Sequence, residues 1–110
     1  TTQEIVEGGV LLCEDESSIT GVISIVPMAE DGVFDLMHLF VEPSAIGSGV
    51  GRELFWAAVS LMRERGGKKL LILSDPHAAE FYRRMGAIDI GEAPSDAIPE
   101  RLLPLLAFAL

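Results

Sequence analysis

Basic residues and cysteine are both scarce in this 110-residue sequence, and each shortage excludes something. Only 8 Lys and Arg stand against 17 Asp and Glu, giving a formal charge of −9. Such a chain repels anions on average, so nucleic acid and anionic membrane surfaces are poor partners and cationic ones are favoured. The single cysteine, Cys13, rules out an internal disulfide and suits a reducing compartment, which makes the cytoplasm the expected location. Residues 1–8 are polar and acidic, without the basic start and apolar stretch of a secretory signal. No apolar run approaches the roughly 18 residues of a membrane helix. Repeats, linkers and low-complexity stretches are missing too.

What is present suits one packed core. The chain is 49% hydrophobic and 23% charged, the reverse of a disordered composition, and its length predicts a single domain over 1–110. Val10, Leu11, Leu12 and Cys13 form a short apolar run, and 19–26 another with β-branched residues at alternate places. The polar break at 14–18 between them makes an antiparallel hairpin. A third strand over 33–41 stops ahead of Pro43, since proline lacks the ladder donor. Val50, Leu54, Ala57, Ala58 and Leu61 then recur at helical spacing until Gly66 and Gly67.

The unbroken Leu70-Leu71-Ile72-Leu73 run predicts a central, parallel strand over 69–74 covered on both faces. A short helix from Asp75 and Pro76 to Gly86 carries Ala78, Phe81, Tyr82 and Met85 on one face. A strand over 87–91, a polar loop over 92–101 and a last strand over 102–110 complete the order, with Pro104 marking an edge position or a bulge. The class is α+β, with an antiparallel meander first and one βαβ unit in the middle. Met28, Met37, Met62 and Met85 are expected as core fillers and Trp56 as packing.

One segment points beyond packing. Between the third strand and the first helix stand Gly47, Gly49 and Gly51. Glycines let backbone approach a ligand, and the first N–H groups of a helix have no internal partner, so the segment is either a phosphate cradle or simply a tight turn. Two rival fingerprints fail. A dinucleotide loop needs glycine where Arg52 stands, and a nucleotide P-loop needs a Gly-Lys-Ser/Thr ending that is absent.

The run Leu39-Phe40-Val41-Glu42-Pro43, followed by Ile46-Gly47-Ser48-Gly49-Val50-Gly51-Arg52, resembles the acetyl-CoA signature Gln/Arg-x-x-Gly-x-Gly/Ala of the Gcn5-related N-acetyltransferases. Gly49 and Gly51 match its two glycines, and Ile46 stands where that family usually has Gln or Arg. A second motif, Phe81-Tyr82 four residues before Gly86, resembles the family's FY-x-x-x-G segment. The resemblance covers roughly residues 9–110. It implies the acyl-CoA N-acyltransferase fold, a mixed sheet with two helices, here without the first strand and first two helices that usually shape the acceptor side.

The same resemblance implies an acetyl-CoA-dependent N-acetyltransferase acting on a primary amine, small molecule or peptide, by direct attack and without a metal. Gly47, Ser48, Gly49, Val50, Gly51 and Arg52 would cradle the pyrophosphate, Ser48 mainly through its amide. Leu39, Phe40 and Val41 would line the pantetheine arm through main-chain groups. Tyr82 matches the tyrosine that protonates the leaving thiolate, a role open to a phenol of pKa about 10. By itself an aromatic on an apolar helical face reads as core. Phe81 and His77 would contact the cofactor, His77 being equally readable as a solvated helix-start residue. His38, of the side-chain type that exchanges protons near neutral pH, is either a general base or a solvent-facing strand residue. Rival functions are a CoA-binding module without turnover and an interaction module forming a homodimer.

Overall fold

A computed structural model describes residues 2–5, 9–16, 18–95, 97–98 and 100–110, with backbone only for 2–5. Ser17, Asp96 and Pro99, which fall in predicted turns, lie outside the described residues, as do residues 1 and 6–8. Seven strands form one sheet in the order β1-β2-β3-β4-β5-β7-β6. They are β1 (Thr2–Ile5), β2 (Val10–Asp15), β3 (Ser18–Pro27), β4 (Val33–Val41), β5 (Lys69–Leu73), β6 (Ile88–Pro94) and β7 (Leu102–Ala109). Helix α1 (Val50–Glu64) links β4 to β5 and α2 (Ala79–Met85) links β5 to β6. Among the described residues no helix is long and apolar enough to cross a membrane.

The meander and the βαβ unit form as their patterns require: β2 to β4 pair antiparallel, and β4 pairs parallel with β5. The sheet nevertheless starts one strand earlier than the sequence suggests. β1 pairs antiparallel with β2, Thr2 opposite Cys13 and Ile5 opposite Val10. Its polar composition hides it, because an edge strand needs only one hydrogen-bonded neighbour and no buried run.

Both helices cover one face. Leu11, Ile23, Ile25, Leu36, Leu70, Ile72, Leu106 and Phe108 from the sheet meet Leu54, Phe55, Ala58, Val59 and Met62 of α1 and Ala79 and Tyr82 of α2. The buried stripe of α1 is thus rotated from the predicted one: Val50, Ala57 and Leu61 flank it while Phe55, Val59 and Met62 fill its centre. Expected cover on both faces of β5 is also corrected. Leu70 and Ile72 are buried, but Leu71 and Leu73 stay half-buried on a helix-free face. Met62 and Met85 pack as expected, whereas Met28 and Met37 are 43% and 47% exposed. Trp56 stacks edge-on against Phe55 and Phe108, with centroids 5.5 and 5.8 Å apart.

Pro104 is not on an edge. β7 lies between β5 and β6, paired with both. Pro104 O accepts a hydrogen bond from Ser74 N at 2.9 Å, so the side on which Pro104 lacks a donor faces β5 just beyond its last residue, and the missing donor falls where that strand ends. β6 runs on to Pro94 rather than stopping at Gly91, with an irregularity between Asp89 and Gly91.

Candidate active site

Two local departures from regular structure make the site. The first is in β4. Ser24 pairs with His38 but Ile25 pairs with Leu36, so Met37 is an extra residue and the strand bends there. β4 and β5 pair at Val33/Lys69, Phe34/Leu70 and Asp35/Leu71 and no further. From residue 36 onward the two strands part, leaving a wedge between them.

Which groups face that wedge follows from strand geometry. Glu42 N donates to Thr20 O at 2.8 Å on the β3 side, and main-chain groups alternate sides along an extended strand. Those of Val41 and Leu39 therefore point away from β3, into the wedge. Those of Phe40 point to β3, its carbonyl oxygen lying 3.1 Å from where a Cβ on Gly21 would be. The Phe40 side chain is 56% exposed and shares the helix-free face with Val22. Of the three predicted arm residues, two offer main-chain groups to the gap and Phe40 offers none.

The second departure is the loop. Pro43–Ala45 is a 3-10 turn capped by the Glu42 side chain, which accepts from Ser44 N at 2.9 Å and from Ser44 Oγ. Gly47 and Gly49 follow at φ of 89° and 94°, left-handed values that cost other residues strain, and Gly49 opens α1 without any side-chain cap. The first helical bond is Glu53 N to Gly49 O at 2.9 Å. Among the described residues the N–H groups of Gly47, Gly49, Val50, Gly51 and Arg52 meet no carbonyl. These five donors stand at the positive end of a 15-residue helix, an arrangement of the kind that can receive an anion.

Ser48 does not supply its amide as expected: its N–H donates to Ala45 O at 3.0 Å and its Oγ donates to the same oxygen. Its side chain lines a separate acidic cleft with Glu14, Asp15 and Glu53. The loop itself opens on a cleft of about 410 Å³ lined by Val41, Ile46, Gly49, Gly51, Arg52 and Phe81, with Arg84 and Met85 beside them. A Cβ on Gly51 would lie 3.4 Å from Val41 Cγ2 and 3.6 Å from Phe81, ordinary contact distances, so strand, loop and α2 meet around this residue.

Arg84 carries no expectation from the sequence, and Met85 is expected there only as a core filler on the Phe81 face. Their signal was available, since they follow Phe81 by three and four positions and so share its helical face. Gly21 also went unremarked. A Cβ there would lie 2.7 Å from Val50 Cγ1 and 2.8 Å from Leu54 Cδ1, so the start of α1 is seated on the missing side chain.

The remaining predicted residues fall on both sides of the sheet. Tyr82 is 5% exposed within the core on the helix side, 6.3 Å from the Phe55 ring, and burial pushes its hydroxyl up to about 12. His38 is exposed on the helix-free face, its Nδ1 3.1 Å from Ser24 Oγ. His77 is exposed in the turn before α2, which begins at Ala79 rather than at Pro76, and its N–H donates to Asp75 Oδ1 at 2.8 Å.

A splayed strand pair whose inner main-chain groups meet no strand partner among the described residues, next to a loop with free amides and two arginines, fits a ligand that is an extended amide-bearing arm on a pyrophosphate. That is the build of an acyl-CoA-binding domain. The chain belongs to the acetyltransferase (GNAT) family, whose sequence profile matches residues 2–87. It is 31% identical over 81 residues to serotonin N-acetyltransferase 2, chloroplastic, of Oryza sativa subsp. japonica, a match covering 70% of this chain and 40% of that protein. The chain thus spans less than half the length of this relative. A Desulfovibrio desulfuricans structure assigned to the GNAT family superposes with TM-score 0.81 at 22% identity, covering 91% of this chain and 68% of that one. An aminoglycoside 6'-N-acetyltransferase complexed with coenzyme A superposes with TM-score 0.80 at 19% identity, covering 91% and 71%.

Proposed function

We propose that this chain moves an acetyl group from acetyl-CoA to a primary amine by direct attack. The observation that carries the reading is the row of five unpartnered amides from Gly47 to Arg52 at the mouth of the β4/β5 wedge. Acetyl-CoA supplies the activated acyl group as a thioester. Gly47, Gly49, Val50, Gly51 and Arg52 bind its pyrophosphate, and Arg84 adds a second guanidinium in the same cleft. Leu39 and Val41 hold the arm by strand-like bonds, and Phe81 packs beside it.

Tyr82 on the helix side keeps its proton far into alkaline pH. An ordinary thiol ionises near pH 8.5, so complete transfer from this phenol to a thiolate is uphill by about 5 kcal/mol. Tyr82 acts as a hydrogen-bond donor that stabilises the departing sulfur, and solvent supplies the final proton. His38 on the other face receives the proton that an ammonium must lose before it attacks. The rice relative bears an amine, serotonin, in its name, and the net charge of −9 favours cationic acceptors.

Calorimetry with acetyl-CoA tests the reading, comparing the native chain with Gly49→Glu, which puts bulk and negative charge into the cradle. Loop-dependent binding with free thiol released in the presence of an amine is expected; no binding by the native chain sinks it. A second reading, a CoA-binding module without turnover, draws on the helix-free face, where no described element covers Leu71 and Leu73. Binding without thiol release against a broad amine panel selects that reading.

A further inference from the structure

At the end of the sheet away from the β4/β5 wedge, β7 outruns its neighbour. β6 starts at Ile88, opposite Ala107, so Ala109 has no partner on that side. Leu110 N donates to Lys68 O at 2.9 Å on the β5 side, and main-chain groups alternate sides along a strand. The N–H and C=O of Ala109 therefore point to the side where β6 has not begun, and among the described residues this N–H meets no carbonyl.

A cleft of about 320 Å³ opens there, lined by Lys68, Lys69, Ile88, Ala107, Phe108 and Ala109. Lys69 pairs with Ala109 across β5 and β7, and Ile88 pairs with Ala107 across β6 and β7, so two small residues lie between a lysine and an isoleucine that is 65% exposed. Neither lysine enters an ion pair among the described residues. Lys68 is held from behind: its N–H donates to Gly32 O at 2.7 Å, and a Cβ on Gly32 would lie 3.1 to 3.4 Å from three carbons of its side chain.

We propose that this cleft binds a small monocarboxylate with an apolar body, a phenylalkanoate or a short-chain fatty acid. The site stands apart from acetyl transfer and does not rest on it. Two free ammonium groups and a free N–H at one place answer the two oxygens of a carboxylate, while the alanines and Ile88 answer the apolar body. The stem of Lys68, already packed on Gly32, has less freedom to lose on binding. The formal charge of −9 sets the valence of the ligand. Repulsion by the whole molecule grows with the charge of what approaches, so a monoanion keeps the local attraction at the least cost, and a phosphate dianion or a polyanion is disfavoured. The volume is near the lower bound of small-molecule sites, which suits one ring or a short chain.

The single tryptophan, Trp56, has its ring centroid 5.8 Å from that of Phe108, so its fluorescence reports on the cleft. Titrations with 3-phenylpropionate, hexanoate, the neutral 3-phenylpropanamide and phenyl phosphate test the inference, and saturation-transfer NMR on the same samples follows the ligand itself, so that a silent Trp56 hides nothing. The native chain is run beside Lys69→Gln, Lys69→Arg, the double variant Lys68→Gln with Lys69→Gln, and Arg101→Gln. Both carboxylates are expected to bind saturably, with Kd at least about tenfold below that of the amide. The double variant should raise their Kd by about tenfold, Lys69→Gln by less, and Lys69→Arg should restore it, which separates charge from folding. Arg101→Gln, which removes one positive charge at the other end of β7, should leave Kd within about twofold of the native value. No saturable response up to about 10 mM, equal affinity for the amide, or tighter binding of phenyl phosphate overturns the inference. So does a Kd unchanged in the double variant, or raised as much by Arg101→Gln as by Lys69→Gln. Each of these outcomes leaves the acetyl-transfer reading where it stands.

Discussion

Tyr82 is the single tyrosine of the chain, so its proton can be followed without interference. Burial raises its hydroxyl from 10.0 to about 12. The unfolded chain therefore ionises first. Stability linked to this group is fully present below pH 10, and it is lost as the pH rises through 12, by an amount on the order of 2 to 3 kcal/mol. Tyrosinate absorbance should titrate as one curve near 12 in the folded protein and near 10 in urea. Tyr82→Phe should flatten the alkaline loss of stability, and it should lower kcat while leaving acetyl-CoA affinity intact. A folded-state midpoint near 10 would remove Tyr82 from the buried donor role. At Gly49 the left-handed φ of 94° gives a different expectation: Gly49→Ala costs about 1 to 2 kcal/mol in strain yet leaves open space around the new methyl. Urea melts should show that loss, with acetyl-CoA binding weakened far less than by Gly49→Glu.

Candidate-site residues close in sequence come together in space, Val41, Gly47, Gly49, Gly51 and Arg52 lining one cleft, because a strand, a glycine loop and a helix start follow one another directly in the chain. Ser48 misled because sequence spacing does not reveal which amides a turn has already used. Arg84 shares the Phe81 side of α2 by its spacing, but that this side packs on the loop is what no local pattern records.

Among the elements, α1 is aimed by β3. Gly21→Ala forces Val50 and Leu54 outward from contacts of 2.7 and 2.8 Å, an overpacking that costs about 1 to 3 kcal/mol. Because Val50 and its neighbours form the proposed cradle, acetyl-CoA affinity should fall in step with the melting temperature. Unchanged affinity would separate the helix start from β3. α2 is tied to β6 by Arg83, whose Nε and Nη2 reach Asp89 Oδ1 and Oδ2 at 2.8 and 2.9 Å. These hydrogen bonds hold the Asp89 carboxyl below its usual range. The contribution is present above that range and lost as pH falls through the lowered value. Asp89→Asn should therefore be slightly less stable than the native chain at neutral pH and equal to it in strong acid. The elements themselves were readable wherever one face repeated, but β1, polar and at the edge, carried no such repeat, and Pro104 misdirected because its missing donor happens to face the end of β5.

For the molecule as a whole, charge and size act together. Its extents are 40 × 30 × 24 Å and its formal charge is −9. In about 0.01 M salt the screening length of about 30 Å spans the protein, so an approaching CoA meets the full negative field; near 0.15 M it is about 8 Å, and the arginines of the cradle dominate. The association rate of acetyl-CoA should therefore rise between these salts in stopped-flow measurements, and a fall would mean that Arg52 and Arg84 outweigh the global field at every distance. Fold class was the most legible property at this scale, because alternation, glycine punctuation and one continuous apolar run agree on it. The open helix-free face was not, since half-buried Leu71 and Leu73 look like core in a sequence.

The place of β7 between β5 and β6 has a consequence in time. β6 is made before β7 but has no other neighbour in the sheet. While the chain leaves the ribosome, the meander and α1 can assemble from contacts already synthesised, whereas β6 must wait unpaired until β7 is made. The interval before β7 slides in is when nascent copies are most prone to pair with one another.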